Sequence, residues 1–367
     1  MDFMVKLLAF GLGLFIVGAT LFSAIRTFVL PRGDNNALTR IVFTSMFSIF
    51  NLRLKKLTTY EDRDRIMALF APITLLALPV IWLILIIIGY TFMFWAIGVQ
   101  NLYEAFKVSG SSLFTLGFFT IDTFAASVLT FTEATIGLGI VALLLAYLPT
   151  MYAAFSRRET LVTLLEVRAD SPPSAVTMIN RAQSIRGLDY LNELWNNWEI
   201  WFAEIDESHT SLAPINFFRS PQPDRSWVTA AGAVLDAAAL MSSAVDVPRR
   251  PEAQLCIRAG FVALRHICDF FRIDYHPDPH FPEQPISISR QEFEDALDQM
   301  AAQCVPIKAD RDQAWLDFAG WRVNYDTPLL ALAELLIVPY APWSSDRGLQ
   351  RVEPARRKKR EKASFNQ

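Results

Sequence analysis

Four consecutive residues, Thr115-Leu116-Gly117-Phe118, have the types needed to take a metal cation out of water. Thr115 can present both a hydroxyl and a carbonyl to a dehydrating ion, and Gly117 lets backbone carbonyls turn toward one axis. A bulky aromatic such as Phe118 can wedge the loop against a neighbouring helix. The run leading into them, Ser109-Gly110-Ser111-Ser112-Leu113-Phe114, is short and amphipathic. It lies between two long apolar spans, one ending near Gln100 and one starting near Ala125. A polar turn outside a membrane would use the same residues; the place between two spans is what argues for ion chemistry.

The elements that would position this loop are visible in the hydropathy. The chain has 367 residues, 52% of them hydrophobic, and the apolar ones are concentrated. Leu7 to Ile25 contains no charge, and neither does Ile66 to Tyr103, a run too long for an ordinary buried helix. A third span, Phe124 to Phe155, carries one charge, Glu133. At 1.5 Å per residue each can cross a hydrocarbon core of about 30 Å. The first reads as a retained helix rather than a cleaved leader, because no small-x-small pattern opens a polar segment after it.

Basic residues set the expected orientation. Arg32, Arg40, Arg53, Lys55, Lys56, Arg63 and Arg65 lie between spans one and two, only Lys107 between spans two and three, and Arg157, Arg158 and Arg168 after span three. The positive-inside rule places the amino terminus and the Thr115 loop outside and the carboxy terminus in the cytoplasm. Cys256, Cys268 and Cys304 then fall in a reducing compartment, at spacings that match no zinc pattern. A formal net charge of −3 gives no sign of nucleic-acid binding.

Residues Leu102 to Phe114 are a candidate pore helix, too short to cross a membrane. Leu102, Ala105, Phe106, Leu113 and Phe114 form its apolar side. Non-helical backbone at membrane depth must be buried in protein or line water, which four copies around an axis would achieve. Asp122 and Glu104 would add negative charge at the outer mouth, or serve as ordinary solvated loop acids.

On these residues the stretch from 66 to 158 resembles the two-helix-plus-pore-loop module of bacterial potassium channels. Thr115-Leu116-Gly117-Phe118 is similar to the first four positions of that family's Thr-Val-Gly-Tyr-Gly filter. The resemblance implies an ion-binding filter at Thr115, Leu116, Gly117 and Phe118 and a homotetramer. It also implies a hinge at Gly137 or Gly139 and a gate-region kink at Pro149. Glycines are also close-packing residues in membrane helices, and a proline can bend a helix without gating it. The chain departs from the pattern at the fifth filter position, where Phe119 replaces a glycine. That leaves potassium as the expected ion and sodium as its competitor. Glu133, an acid within a span, is expected to face a partner or cavity behind the filter, or else the interface.

The first connection reads as an amphipathic helix over Asn35 to Lys56, lying on anionic lipid through Arg53, Lys55 and Lys56. Beyond Ser171-Pro172-Pro173 helical patterns alternate with proline-rich breaks at 213–223, 248–251 and 277–285, which mark loops rather than separate domains. A stripe of Leu191, Leu194, Trp195, Trp198, Trp201, Phe202 and Ile205 is core rather than a ligand box. Helices are expected over Trp227–Val245, Glu252–Phe271, Arg290–Gln303 and Asp310–Val338, with a Ser289/Glu292 capping box. There is no G-x-G-x-x-G motif, and no nucleophile-base set or metal cluster stands out; His276 and His280 sit in a proline-rich loop. The basic run Arg356–Arg360 suits a solvated tail or an anionic lipid surface.

The expected protein is therefore an all-α membrane protein with three transmembrane helices, a re-entrant pore helix with its filter loop, and an all-helical cytoplasmic domain. Its segments are 1–65 (first helix and connection), 66–158 (pore module), 159–345 (helical domain) and 346–367 (basic tail). The expected role is passive cation conduction in the cell membrane, with no enzymatic activity and no cofactor beyond the permeant ion. Two other readings stand beside it: a non-selective cation channel, and a membrane-anchored sensor or scaffold whose loop is structural.

Overall fold

The long uncharged runs fold as helices on their sustained apolar content, and the helices continue across the prolines they contain, Pro72 and Pro79 in the second run and Pro149 in the third. The computed structural model describes residues 2–28, 37–55, 57, 59–248 and 250–347. Three helices in it are long and apolar enough to cross a membrane: α1 (Asp2–Phe28), α3 (Tyr60–Ala96) and α5 (Phe124–Ala169). This is the architecture of a multi-pass membrane protein. Lys56 and the basic run 356–360, given roles at the lipid surface from sequence, lie outside the described residues.

Among the described residues the fold is all helical, with one isolated antiparallel bridge, Val245 to Ile307. Two compact units divide it. One runs through residue 164 and takes in Ile200–Trp227; the other comprises Leu165–Glu199 and the described residues from Val228 onward.

In the first unit α1 packs on α3 through glycine. A Cβ placed on Gly89 would stand 2.7 Å from a Val17 methyl and 2.9 Å from the Gly13 carbonyl. With no side chain at either position the two backbones approach closely, as small residues allow in membrane helices. The connecting helix α2 (Ala37–Leu54) sets Phe43, Phe47 and Phe50 around Phe70 of α3, with ring centroids 5.4 to 6.3 Å apart. Helix α3 opens with Thr59 accepting the Asp62 amide hydrogen, and Glu61 and Asp62 in its first turn suit the helix dipole. A short helix, α4 (Leu102–Leu113), follows α3, capped by the Asn101 side chain, which accepts from the Glu104 amide at 2.9 Å.

The far part of α5 is tied to the 3₁₀ turn Ala213–Phe217. Arg158, buried, donates to the carbonyls of Ile215 (2.9 Å) and Phe218 (2.7 Å). Ile215 closes a cluster with Leu75, Tyr147 and Met151. Helix α5 ends as Ser171-Pro172-Pro173 requires: Asp170 turns left-handed (φ 64°), and the Ser174 side chain caps α6 (Ala175–Ile185). The tryptophan stripe lies in α7 (Leu191–Ser211), with Trp195, Trp198 and Trp201 buried.

In the second unit α8 (Trp227–Ser243), rich in alanine, lies almost wholly buried. Around the core follow α9 (Pro251–Phe271), α10 (Arg290–Ala302), α11 (Arg311–Arg322) and α12 (Asp326–Leu336). The Ser289/Glu292 capping box forms. The single helix expected over Asp310–Val338 is two helices. Pro328 has no amide hydrogen for the Asn324 carbonyl, and its ring would collide with that carbonyl in a continuous helix. Asn324 instead donates from its side chain to the Gly320 carbonyl at 2.9 Å.

Candidate functional site

Helix α4 doubles back against the two long helices that flank it in sequence. Ser109, buried, places its hydroxyl 3.2 Å from the Ile87 carbonyl of α3 and 2.5 Å from Glu133 Oε1 of α5. At its last residue the Leu113 carbonyl lies against Gly137, where any Cβ would collide with it. Gly137 is about 20 Å along α5 from Phe124, and Ile87 about 14 Å back from the end of α3. The end of α4 thus sits well inside the length of both apolar helices. Glycine at 137 is what lets it come so close.

The way α4 ends determines the loop. Leu116 N–H donates to the Ser111 carbonyl (2.8 Å) and Thr115 N–H to the Ser112 carbonyl (3.0 Å). This pair of bonds is the Schellman ending, which wants a left-handed residue just past the cap and normally uses glycine there. Here that residue is Thr115, at φ 54°. A β-branched residue in this region is an outlier, at a cost on the order of 1–2 kcal/mol. Its hydroxyl donates to the Phe114 carbonyl at 2.8 Å. Gly117 takes φ 78°, which glycine adopts freely.

From Phe114 to Thr120 every residue is exposed, and Phe118 most conspicuously, at 70%. Leu116 and Phe114 are each about half exposed (51%), so a single chain leaves the loop's apolar side chains and backbone uncovered. The negative end of the α4 dipole points into this loop.

The remaining sequence-derived residues take different places. Glu133 is fully buried, and its second carboxyl oxygen, Oε2, has no hydrogen-bond partner. Near it Tyr90 of α3 donates to the Thr132 hydroxyl at 3.0 Å. Glu104 is ion-paired with Lys107 at 2.8 Å. Asp122 is exposed just ahead of α5. Gly139 and Pro149 lie on exposed parts of α5, and a Cβ on Gly139 would meet nothing within 4 Å. Arg53 and Lys55 are exposed at the end of α2.

Three side-chain sets escaped the sequence reading. Ser109 and Ser111 were visible only as polar positions on a short helix, with nothing in their types to mark the contacts they make. Arg158 meets His209 Nε2 at 3.3 Å inside the first unit. In the second unit a buried Arg322 bonds Asp326 (2.7 Å), Asp236 (2.5 Å) and the Trp343 carbonyl (2.7 Å), and Tyr325 donates to Asp236 (2.8 Å). Against the cost of burial, the two carboxylates hold the Arg322 guanidinium above its usual value. No group of three or more His, Cys, Asp or Glu able to hold a metal ion occurs among the described residues.

Comparison with protein-family models, curated proteins and solved structures finds no match to this chain.

Proposed function

We propose that this protein is a homotetrameric cation channel of the potassium-channel-like pore-loop class. Each chain contributes one loop, and ions pass along backbone carbonyls of Thr115, Leu116, Gly117 and Phe118. Potassium is the principal ion and sodium the competing one. Flow is passive, and no residue acts as a catalyst. The protein sits in the cell membrane with the loop outside and the carboxy terminus in the cytoplasm.

The observation that carries this reading is the seat of α4. A twelve-residue helix, too short to cross, folds back between two apolar helices and delivers a backbone with two positive-φ residues part-way along them. Backbone at that depth needs protein or water around it, and the exposed faces of Phe114, Leu116 and Phe118 need other chains. Four copies about an axis meet both needs, with carbonyls replacing the hydration shell. The α4 carbonyl ends, aimed at the loop, favour a cation there.

The test is cation flux through the purified protein in liposomes, together with its mass in detergent. Gly117→Asp abolishes flux while leaving membrane insertion and the tetramer intact. A protein that is a monomer or dimer and passes no ion is the sensor or scaffold instead.

A further inference from the structure

One residue of α4 holds the loop at two places. The Ser111 carbonyl takes the Leu116 N–H at 2.8 Å, and the Ser111 hydroxyl takes the Phe119 N–H at 3.2 Å. Ser111 itself is buried, at 4% exposure. The segment Leu116 to Phe119 is therefore an arch whose two feet stand on a single side chain and its own carbonyl. The second foot is fastened again from the side. Lys107 Nζ lies 4.6 Å from the centre of the Phe119 ring, and the same ammonium pairs with Glu104 and covers Tyr103. Phe119, at 38%, is correspondingly less exposed than Phe118, and the two rings meet edge to face at 6.4 Å.

We propose that Ser111 and Lys107 are positioning residues that fix the width and the end of the carbonyl arch, and so set which cations the loop passes. The inference rests on the pore reading above. Neither residue touches an ion. Both act through Phe119: its amide donates to the Ser111 hydroxyl and its ring lies under the Lys107 ammonium, which together pin the residue that follows Thr115–Phe118. Discrimination between potassium and sodium depends on how closely carbonyls are held at a chosen separation, or on their number and field strength. Both quantities change when one foot of the arch is released.

The experiment uses full-length protein with three substitutions. Ser111→Ala removes the hydroxyl foot and keeps the carbonyl one, Ser111→Thr restores a hydroxyl, and Lys107→Met removes the cation over the ring. Hydrogen exchange of the loop peptide in detergent reads the arch itself. Potassium and sodium fluxes in liposomes read its consequence. In Ser111→Ala the Phe119 amide exchanges about fivefold faster, the equivalent of one neutral hydrogen bond. The potassium-to-sodium flux ratio shifts in Ser111→Ala and in Lys107→Met, and returns in Ser111→Thr. A conducting Ser111→Ala with an unaltered ratio overturns the proposal and leaves the pore reading standing. An unaltered exchange rate overturns it at the level of structure. Wild-type protein that passes neither ion brings down the pore reading and this inference with it. Should Ser111→Ala fail to fold, the Lys107→Met ratio decides alone.

Discussion

The Leu116 amide and the Ser111 carbonyl close the end of α4 with a 2.8 Å hydrogen bond, and that bond holds Thr115 left-handed between them. A backbone that asks for glycine carries threonine. Strain of this kind gathers at functional positions, where the surroundings hold a conformation the residue would not choose. At this position the threonine hydroxyl makes one local hydrogen bond, donating to the Phe114 carbonyl at 2.8 Å.

Thr115→Gly therefore stabilises the protein and impairs it. Relief of the left-handed strain outweighs the extra chain entropy of glycine, for a net gain on the order of 0.5–1 kcal/mol. Thermal unfolding in detergent reads this as a rise in Tm. On the pore reading potassium flux falls in the same variant, because that reading gives the Thr115 hydroxyl to the ion path. A lower Tm would contradict the account of the turn, and full flux would remove the hydroxyl from the ion path.

The two glycines of α5 differ in what they face, and their alanine variants separate accordingly. A Cβ at Gly137 collides with the Leu113 carbonyl, so Gly137→Ala pushes the end of α4 away and costs about 1–3 kcal/mol. Flux falls with it, since the loop hangs from that end. Gly139→Ala meets open space and changes stability by less than about 0.5 kcal/mol. Its flux separates the hinge reading from the packing one: a hinge at 139 loses activity at unchanged Tm. Unfolding curves of the two variants side by side, with flux from the same preparations, provide the comparison.

How much of this was legible beforehand follows from which signals are local. The three long helices, the short α4 and most later boundaries came from runs of apolar residues, prolines and caps, all of which act within a few residues. The Ser289/Glu292 box is one such signal, and Ser171-Pro172-Pro173 another. The break between α11 and α12 was equally local. Pro328 announced it, but the apolar periodicity on both sides concealed it. What stayed hidden was pairing across distance. Ser109 to Glu133, Arg158 to His209 and Arg322 to Asp236 each join residues from different elements, and no spacing in the chain encodes them. The return of Ile200–Trp227 to the unit built on the apolar helices is of the same kind. The Thr115 loop was found by residue type, whereas its left-handed threonine became visible only with the α4 ending in view.

The contact between Arg158 and His209 predicts a pH dependence with a definite sign. Both side chains are buried, and guanidinium nitrogens can only donate, so His209 Nε2 accepts and the ring proton sits on Nδ1, facing the Ser208 hydroxyl at 3.0 Å. Burial first, and the Arg158 charge second, hold the imidazole well below its ordinary value, so the folded protein keeps it neutral. Unfolded, the same ring takes up a proton as pH drops below about 6.5. The unfolded state then binds more protons than the folded one, and stability falls with falling pH. Above that pH both states hold the ring neutral, and His209 contributes no slope. Wild-type protein thus loses Tm progressively below about pH 6.5. His209→Gln, which keeps a hydrogen-bonding side chain but cannot titrate, starts from a lower Tm and shows a shallower fall over the same interval. Equal slopes for the two proteins in a series of unfolding curves from pH 8 to pH 5 would show that the acid sensitivity arises elsewhere.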